Sequence, residues 1–226
     1  MTVKLLAIET ATEGCSAAVS VDGQVIERFE LAPRQHNELI LPMCQQVLSE
    51  AGVSIAQLDG LAFGCGPGAF TGLRIAASVT QAIALAHDLP VASVSTLENL
   101  AYQADVQADE YVMPAIDARM EEIYWAVYKK NSQGHVELIG EEAVQAPEIV
   151  ILKHSISYGL GSGWGTYRNE LMSKTKLTEE NVQADSLPRA SVNAKIGEQK
   201  YHKGEVVEAM HAIPVYLRNQ VVQQKS

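Results

Sequence analysis

The sequence has few of the side chains that carry metal or nucleophilic chemistry. Its three cysteines, Cys15, Cys44 and Cys65, are far apart and form no CxxC pair, and its six histidines include no HxxxH or HExxH spacing. Those spacings bring two thiolates or two imidazoles onto one zinc ion. A GxSxG nucleophile elbow is missing as well. The sequence therefore predicts no metal site, and its cysteines are expected to be reduced, buried thiols.

Basic residues and long apolar runs are also scarce. The 17 Lys and Arg residues are outnumbered by 27 Asp and Glu residues, which gives a formal net charge of -10. Because a phosphate backbone is bound through Lys and Arg, this balance argues against a chain that binds tRNA by itself. Residues 3–8 are too short for the apolar region of a signal peptide, and no segment approaches the roughly 18 apolar residues of a membrane helix. We expect a cytoplasmic protein with no membrane contact.

The first half of the chain has the pattern of a mixed sheet covered by helices. Apolar and β-branched runs flank an Asp22-Gly23 turn signal, which predicts an opening three-stranded meander. Strands and helices then alternate, as parallel crossover units require. The predicted order is strands at 3–8, 15–21 and 24–26, a helix at 37–51, a strand at 61–63, a helix at 71–87 and a strand at 91–94. This α/β order is typical of a ribonuclease-H-like subdomain with a mixed five-stranded sheet.

The opening pattern recurs in the second half. Strand-like runs at 111–116, 123–128 and 136–139 repeat the meander, and an acid follows the first strand of each copy, Glu9 and Asp117. An internal duplication predicts this spacing of about half the chain. We therefore expect an actin-like (ASKHA) fold with subdomains at 1–104 and 105–226, the second a degenerate copy. Further helices are expected near 167–173 and 191–202, and the last segment is expected to pack back on the first subdomain.

Two such halves facing each other form the actin, Hsp70 and sugar-kinase architecture, in which turns at strand ends cradle the phosphates of ATP. The corresponding positions are Glu9, Thr10 and Thr12 in the first half and Asp117 and Arg119 in the second. A phosphotransferase of this type is expected to use short carboxylates for Mg²⁺ and glycines beside the phosphate. Here Glu9 is longer and no glycine follows Asp117. We interpret the five residues as a degenerate nucleotide cleft, whose acids either bond neighbouring turns or meet a ligand.

A glycine-dense turn at 64–72 precedes the second long helix. It lacks the Lys-Ser or Lys-Thr ending of a P-loop, so it is either a phosphate turn or a tight turn that lets the helix pack on the sheet. The helix carries two apolar stripes. One contains Leu73, Ala77, Thr80 and Ala84, and the other contains Ile75, Val79, Ala82 and Ala86. One stripe covers the sheet, and an outward apolar stripe would imply a protein partner.

Four segments together resemble a known family. They are AIETAT at 7–12, GPGAFTGLRI at 66–75, DAR at 117–119 with Glu122 and Tyr124 after it, and PVYLR at 214–218. These segments are similar to those of the TsaB (YeaZ) family of bacterial tRNA threonylcarbamoyladenosine biosynthesis proteins, in the actin-like and Hsp70-like ATPase superfamily. The resemblance spans nearly the whole length and implies the two-subdomain actin-like fold.

The resemblance also implies the function. Members of the family support, without catalysis of their own, a paralogue of the TsaD (YgjD) type that transfers threonylcarbamoyl to N6 of the adenosine beside the anticodon. A small P-loop ATPase of the TsaE (YjeE) type joins the complex, tRNA is met only indirectly, and ATP or ADP is expected only at an interface of the assembled complex. Where the paralogue holds its metal with two histidines, this chain has Thr96 and Leu100, neither of which replaces an imidazole.

The resemblance further implies a partner surface on the two long helices of the first half, which would serve the heterodimer or a competing homodimer. The residues predicted for it are Leu39, Met43, Val47, Leu73, Ala76, Ala77, Thr80 and Ala84. Two other functions remain open at this point. An ATP-dependent small-molecule kinase of the sugar-kinase type would bind Mg-ATP through Glu9 and Asp117, and a metallopeptidase would need the missing histidine pair.

Overall fold

A computed structural model describes residues 3–218 of the chain. The chain divides into two compact units, and each unit is made of two separate segments of the sequence. The first unit contains the described residues up to Asn99 together with Leu187–Pro214. The second contains Leu100–Ser186 together with the described residues from Val215 onward. Each unit is built around its own five-stranded mixed sheet.

The sheet of the first unit begins with the predicted meander. Strands β1 (Leu5–Glu9), β2 (Gly14–Val21) and β3 (Gln24–Leu31) pair antiparallel. Strands β4 (Gly60–Gly66) and β5 (Val91–Ser95) continue the sheet on the other side of β1 in parallel pairing, which gives the order β3-β2-β1-β4-β5. The central strands are buried on both faces, so each face needs a covering layer.

Two long helices cover one face of this sheet. They are α1 (His36–Glu50) and α2 (Phe70–His87), each beginning and ending within one residue of the predicted bounds. Their inward side chains share a core with Leu6, Ile8 and Phe63 of the sheet. A shorter helix, α3 (Thr96–Tyr102), follows β5 and was not predicted.

The opposite face of the first sheet is lined by alanines. Ala7, Ala18 and Ala62 point to this side and pack against helix α6 (Ala190–Lys203), which comes from the far end of the chain. A Cβ on Gly197 of α6 would lie under 3.0 Å from the side chain of Ala62. Small side chains on both partners therefore let the helix approach the sheet closely.

The second unit repeats the strand order of the first. Its strands are β6 (Tyr111–Arg119), β7 (Glu122–Lys130), β8 (Val136–Gln145), β9 (Ile156–Leu160) and β10 (Val182–Gln183), arranged β10-β9-β6-β7-β8. An antiparallel meander is again extended by two parallel strands on the side of its first strand. The shared order supports the duplication, and together the two sheets give the actin-like α/β fold predicted from sequence.

The second copy is reduced in its helices and in its last strand. Helices α4 (Gly163–Thr166) and α5 (Arg168–Lys174) are short, and β10 has two residues. Its core centres on Trp164, which is fully buried and donates its Nε1–H to the carbonyl oxygen of Met113 at 2.9 Å. Strand β9 was not predicted from the sequence.

The limits of the units differ from those expected. The sequence placed the boundary after residue 104, and the structure places it after Asn99, within α3. Helix α6 lies in the range 105–226 given to the second subdomain, whose last segment was expected to pack back on the first, and it groups with the first unit, as do all residues from Leu187 to Pro214. The spacing of apolar residues predicts where helices form, but it does not show which sheet a helix covers. Among residues 3–218, no helix combines the length and apolar character needed to cross a bilayer.

Candidate functional site

Glu9 is the last residue of β1, directly before the turn that follows it, and its carboxylate is turned inward. The side chain is fully buried. Its Oε1 accepts the N–H of Ala11 at 2.7 Å, and its Oε2 accepts a hydrogen from Nδ2 of Asn193 at 2.9 Å. Burial raises the pKa of Glu9, and the hydrogen bonds from Ala11, Asn193 and the Thr10 backbone oppose that rise. We call residues 9–12 the acid loop.

The glycine-dense turn packs directly on the acid loop. A Cβ on Gly64 would lie under 3.0 Å from the carboxylate of Glu9, and one on Gly72 would lie equally close to the carbonyl oxygen of Thr10. The hydroxyl of Thr10 donates to the carbonyl oxygen of Gly72 at 2.8 Å. These glycines are required because the turn and the loop approach more closely than any side chain permits. This contact supports the interpretation of the segment as a tight packing turn.

The end of the acid loop is bound to α1. The Thr12 carbonyl oxygen lies 2.9 Å from Nε2 of His36, the first residue of that helix. The Oγ1 atom of Thr12 is buried and has no hydrogen-bond partner within the described part of the chain. Glu9, Thr10 and Thr12 thus lie together at the end of β1 in the first unit.

Asp117 and Arg119 lie together in the second unit. Asp117 accepts the N–H of Arg119 at 2.8 Å and its guanidinium at 3.0 Å, while its own N–H donates to Oγ of Ser162 at 3.0 Å. The hydroxyl of Tyr167 lies 3.5 Å from the same carboxylate, and burial, followed by the charge of Asp117, raises the pKa of Tyr167. The arrangement around Asp117 is thus held by groups of its own unit.

The two acids make the same local contact. Each carboxylate accepts the backbone N–H of the residue two positions later, Ala11 for Glu9 and Arg119 for Asp117. Such a bond closes a turn on its own acidic side chain. Both acids therefore bond neighbouring turns, as one of the two interpretations from sequence expected. Contact of either acid with a nucleotide stays a prediction.

The residues predicted for the partner surface lie mostly inside the first unit. Seven are buried, and Leu39 is half-buried. They pack on the sheet of their own unit because an amphipathic helix turns its best-packing side to the core. They do not offer a surface to another chain, so the stripe chosen from sequence is the inward one. The seven are Met43, Val47, Leu73, Ala76, Ala77, Thr80 and Ala84.

The outward sides of α1 and α2 form an open groove of about 430 Å³. Phe70 is an exposed large apolar side chain in the groove, with 52% of its surface accessible, and the guanidinium of Arg74 lies 3.8 Å from the centre of the ring. The stripe that begins in the groove with Ile75 and Val79 continues to the exposed Ala82 and Ala86. The groove is lined by Asn37, Ile40, Phe70, Thr71, Arg74, Ile75, Ser78 and Val79.

Sequence analysis missed Phe70, Arg74 and Ser78 as groove residues. A signal was present, because Arg74 and Ser78 are polar positions four apart that border the Ile75 and Val79 stripe. Polar residues beside an apolar stripe indicate the solvent side of a helix. The helix N-terminus carries the GPGAFTGLRI segment, so the family resemblance and the groove fall on the same residues.

The two positions that the resemblance sets against the paralogue's metal ligands are buried. Thr96 has no accessible surface and Leu100 has 1%. Across residues 3–218, no three His, Cys, Asp or Glu side chains converge as a metal site would require. Thr96 offers one hydroxyl oxygen and Leu100 offers no donor atom. Zinc and iron prefer imidazole, thiolate or carboxylate ligands.

Comparison with known proteins identifies the family. The model of the tRNA N6-adenosine threonylcarbamoyltransferase family, TsaD, matches residues 28–222. The chain is 41% identical to the tRNA threonylcarbamoyladenosine biosynthesis protein TsaB of Escherichia coli, over 99% of this chain and 98% of that protein. It is 36% identical to the protein of the same name from Haemophilus influenzae, over 98% and 96%.

Solved structures agree with this result. A Pseudomonas aeruginosa protein described as similar to peptidase YEAZ superposes with a TM-score of 0.87 at 41% identity, covering 96% of this chain and all of that one. The structure of YeaZ from Pseudomonas aeruginosa gives 0.85 at 40% identity, covering 95% of this chain. The identities of 36–41% over nearly the full length of both curated relatives show that the chain belongs to the TsaB (YeaZ) family of tRNA threonylcarbamoyladenosine biosynthesis proteins.

Proposed function

We propose that this chain supports the formation of N6-threonylcarbamoyladenosine in tRNA as the non-catalytic partner of a transferase of the TsaD type. The curated relatives are named for this pathway. The chemistry is proposed to reside in the transferase, since the acids of this chain bond their own turns and its residues at the ligand positions are Thr96 and Leu100. We place the activity in the cytoplasm, where tRNA is modified.

The observation that carries the proposal is the apolar groove on α1 and α2. Phe70 is 52% exposed there, with the guanidinium of Arg74 over its ring, and Ile75 and Val79 are half-buried along the same groove. Exposed apolar patches of this kind mark protein contacts. The transferase family model matches most of this chain, so the two proteins are expected to share a fold. Two related chains can then pair through equivalent faces, as in a two-fold dimer.

The other partners follow from the same arrangement. A second copy of this chain would use the same groove, and such a homodimer would compete with the heterodimer. A small P-loop ATPase of the TsaE type is proposed to join the assembled complex, with ATP or ADP bound only at an interface there. The net charge of -10 favours indirect contact with tRNA, through the complex. The relatives give no support to the kinase alternative.

The test is to place a charged, bulky side chain in the groove. Ser78 is exposed and lines the groove, so Ser78→Arg is expected to leave the fold intact and to abolish binding of the transferase. Ser173→Arg, at an exposed serine of α5, is the matched control. Light scattering after size exclusion and a tRNA modification assay would be run on this chain alone, on the transferase alone, and on the transferase mixed in turn with the wild type, Ser78→Arg and Ser173→Arg.

The expected result is a complex and modification with the wild type and with Ser173→Arg, and neither with Ser78→Arg. A Ser78→Arg variant that binds like the wild type would exclude the groove as the partner surface. Modification by this chain alone would overturn the proposal that it is non-catalytic.

A further inference from the structure

Neither long helix of the first unit is capped at its N-terminus by a local side chain. The residue before α1 is Gln35 and the residue before α2 is Ala69, and neither position has a side-chain hydrogen bond to the first turn. Helix starts carry free backbone N–H groups that need partners, and an uncapped first turn frays readily. Because neither cap residue fixes its own helix, contacts from other segments bear on the positions of these two helix starts.

The acid loop makes the fixing contacts to α2. The hydroxyl of Thr10 donates to the carbonyl oxygen of Gly72 at 2.8 Å, and both residues are buried. The N–H of Ala69 donates to the carbonyl oxygen of Ala11 at 2.7 Å. The two bonded residues, Ala69 and Gly72, directly flank Phe70 and Thr71 in the chain.

The same loop makes the fixing contact to α1. His36 is buried, and its Nε2 lies 2.9 Å from the carbonyl oxygen of Thr12. Because a carbonyl oxygen only accepts, Nε2 carries the hydrogen in this contact. The next residue along the helix is Asn37, which lines the groove on the α1 side. Residues 10–12 therefore hold both helices at the end of the groove where Asn37, Phe70 and Thr71 lie.

We propose that Thr10 and His36 are positioning residues that set the geometry of the partner groove through the acid loop. The inference rests on the proposed function, since it concerns the same groove. Thr10 and His36 do not line the groove themselves. They act by fixing the separation and orientation of the first turns of α1 and α2. A partner that fills the groove binds best when both turns are held before it arrives, because ordering them on binding costs affinity.

The test compares three buried-threonine variants. Thr10→Val removes the hydroxyl with little change of shape, and Thr10→Ser restores it. Thr80→Val is the matched control, because Thr80 is fully buried in α2 and its Oγ1 has no hydrogen-bond partner in the described residues. Affinity for the transferase would be measured by calorimetry well below the melting temperature, and amide hydrogen exchange would be followed over residues 69–75 of the free chain.

We expect Thr10→Val to weaken binding by about tenfold and to speed exchange over residues 69–75. Thr10→Ser and Thr80→Val are expected to match the wild type in both measurements. A Thr10→Val variant with lowered melting temperature but with affinity within about twofold of the wild type would overturn the inference, since a merely structural role moves stability alone. If the wild type fails to bind the transferase, the proposed function fails instead, and the inference with it.

A second pair keeps the test decisive if Thr10→Val does not fold. His36→Gln retains an N–H donor of similar reach for the carbonyl oxygen of Thr12, whereas His36→Ala removes it. The inference expects weaker binding and faster exchange at the start of α1 with His36→Ala, and recovery of both with His36→Gln. Equal affinities for the two variants would overturn it.

Discussion

A buried carboxylate without a cationic partner is costly unless several donors face it. At Glu9 the donors are backbone and amide groups, from Thr10, Ala11 and Asn193. These bonds favour the ionised form and burial favours the neutral one, and burial is the larger effect, because the pKa of Glu9 is raised. The loop geometry and the protonation of one side chain are thereby linked.

This link makes stability depend on pH at Glu9. With the folded-state pKa raised above the unfolded value of about 4.5, the stabilisation from the protonated form is complete below pH 4.5 and is lost as pH rises through the folded-state pKa. Glu9→Gln removes this titration. We expect the free energy of unfolding of the wild type to fall relative to that of Glu9→Gln from about pH 4.5 upward.

Urea unfolding of both proteins over a pH series measures the difference. A constant offset between the two curves reports the changed contact with Asn193 and carries no information on titration. Parallel curves over the whole range would contradict a raised pKa at Glu9.

Gly72 provides a second prediction at a single residue. A Cβ there would lie under 3.0 Å from the backbone carbonyl of Thr10, and a backbone atom cannot move aside as a flexible side chain can. Gly72→Ala is expected to lower the free energy of unfolding by more than about 2 kcal/mol. Gly165→Ala is the control, because its nearest contact is the side chain of Ala184 at 3.5 Å. Equal melting temperatures for the two variants would exclude the close approach.

At the scale of elements, sequence periodicity was a good guide to helix limits and a poor guide to helix faces. Helix α2 was predicted at 71–87 and extends over Phe70–His87. Both of its stripes are apolar, so the pattern could not show whether Thr80 or Ala82 faces the sheet. The structure shows that Thr80 faces inward and Ala82 outward. The small residues Ala76, Ala77 and Ala84 were predicted to form the partner surface, but they pack closely on the sheet of their own unit.

The candidate site was predictable only in its local part. The resemblance and the strand pattern placed Glu9, Thr10 and Thr12 in one loop. The contact of Glu9 with Asn193 joins residues 184 positions apart, and no spacing in the sequence indicates it. The groove arises because α1 and α2 lie side by side on the sheet, which is likewise a property of tertiary packing.

The two faces of α2 are expected to respond oppositely to charge. Ala77 is 4% exposed and packs in the core, so Ala77→Arg buries a guanidinium without a partner and is expected to prevent folding. Ala82 is exposed, so Ala82→Arg is expected to retain the wild-type melting temperature. Circular dichroism with thermal melting checks both, and a folded Ala77→Arg variant would contradict the inward orientation of that stripe.

At the scale of the whole molecule, the first unit is discontinuous in sequence. Its last strand, β5, ends at Ser95, yet the helix that covers the alanine face, α6, follows the second unit in the sequence. Asn99 connects the two segments of the first unit, the one that ends at Asn99 and the one that begins at Leu187. Its side-chain amide donates to the carbonyl oxygen of Arg189 at 2.8 Å and accepts the N–H of Arg189 at 3.1 Å. A further bond of 2.7 Å connects Asn99 to Asn193 in α6.

Removing α6 should therefore destroy the first unit. A chain that ends at Ser186 leaves one face of the β1 and β4 strands uncovered, and we expect their amides to lose protection from hydrogen exchange. A chain that ends at Pro214 keeps α6 and is the control. Adding residues 187–214 as a separate peptide to the shorter chain is expected to restore protection. Full protection of β1 in the shorter chain alone would contradict the assignment of α6 to the first unit.

The late arrival of α6 also bears on how the protein is made. On a ribosome, the strands of the first sheet emerge well before residues 190–203, which are translated only after the whole second unit. At about 5–20 residues per second, roughly 5 to 20 seconds pass between the synthesis of β5 and the synthesis of α6, which covers the alanine face. The nascent chain thus exposes a surface of small apolar side chains during synthesis, and a chaperone that bound this surface would have to leave it before α6 could pack there.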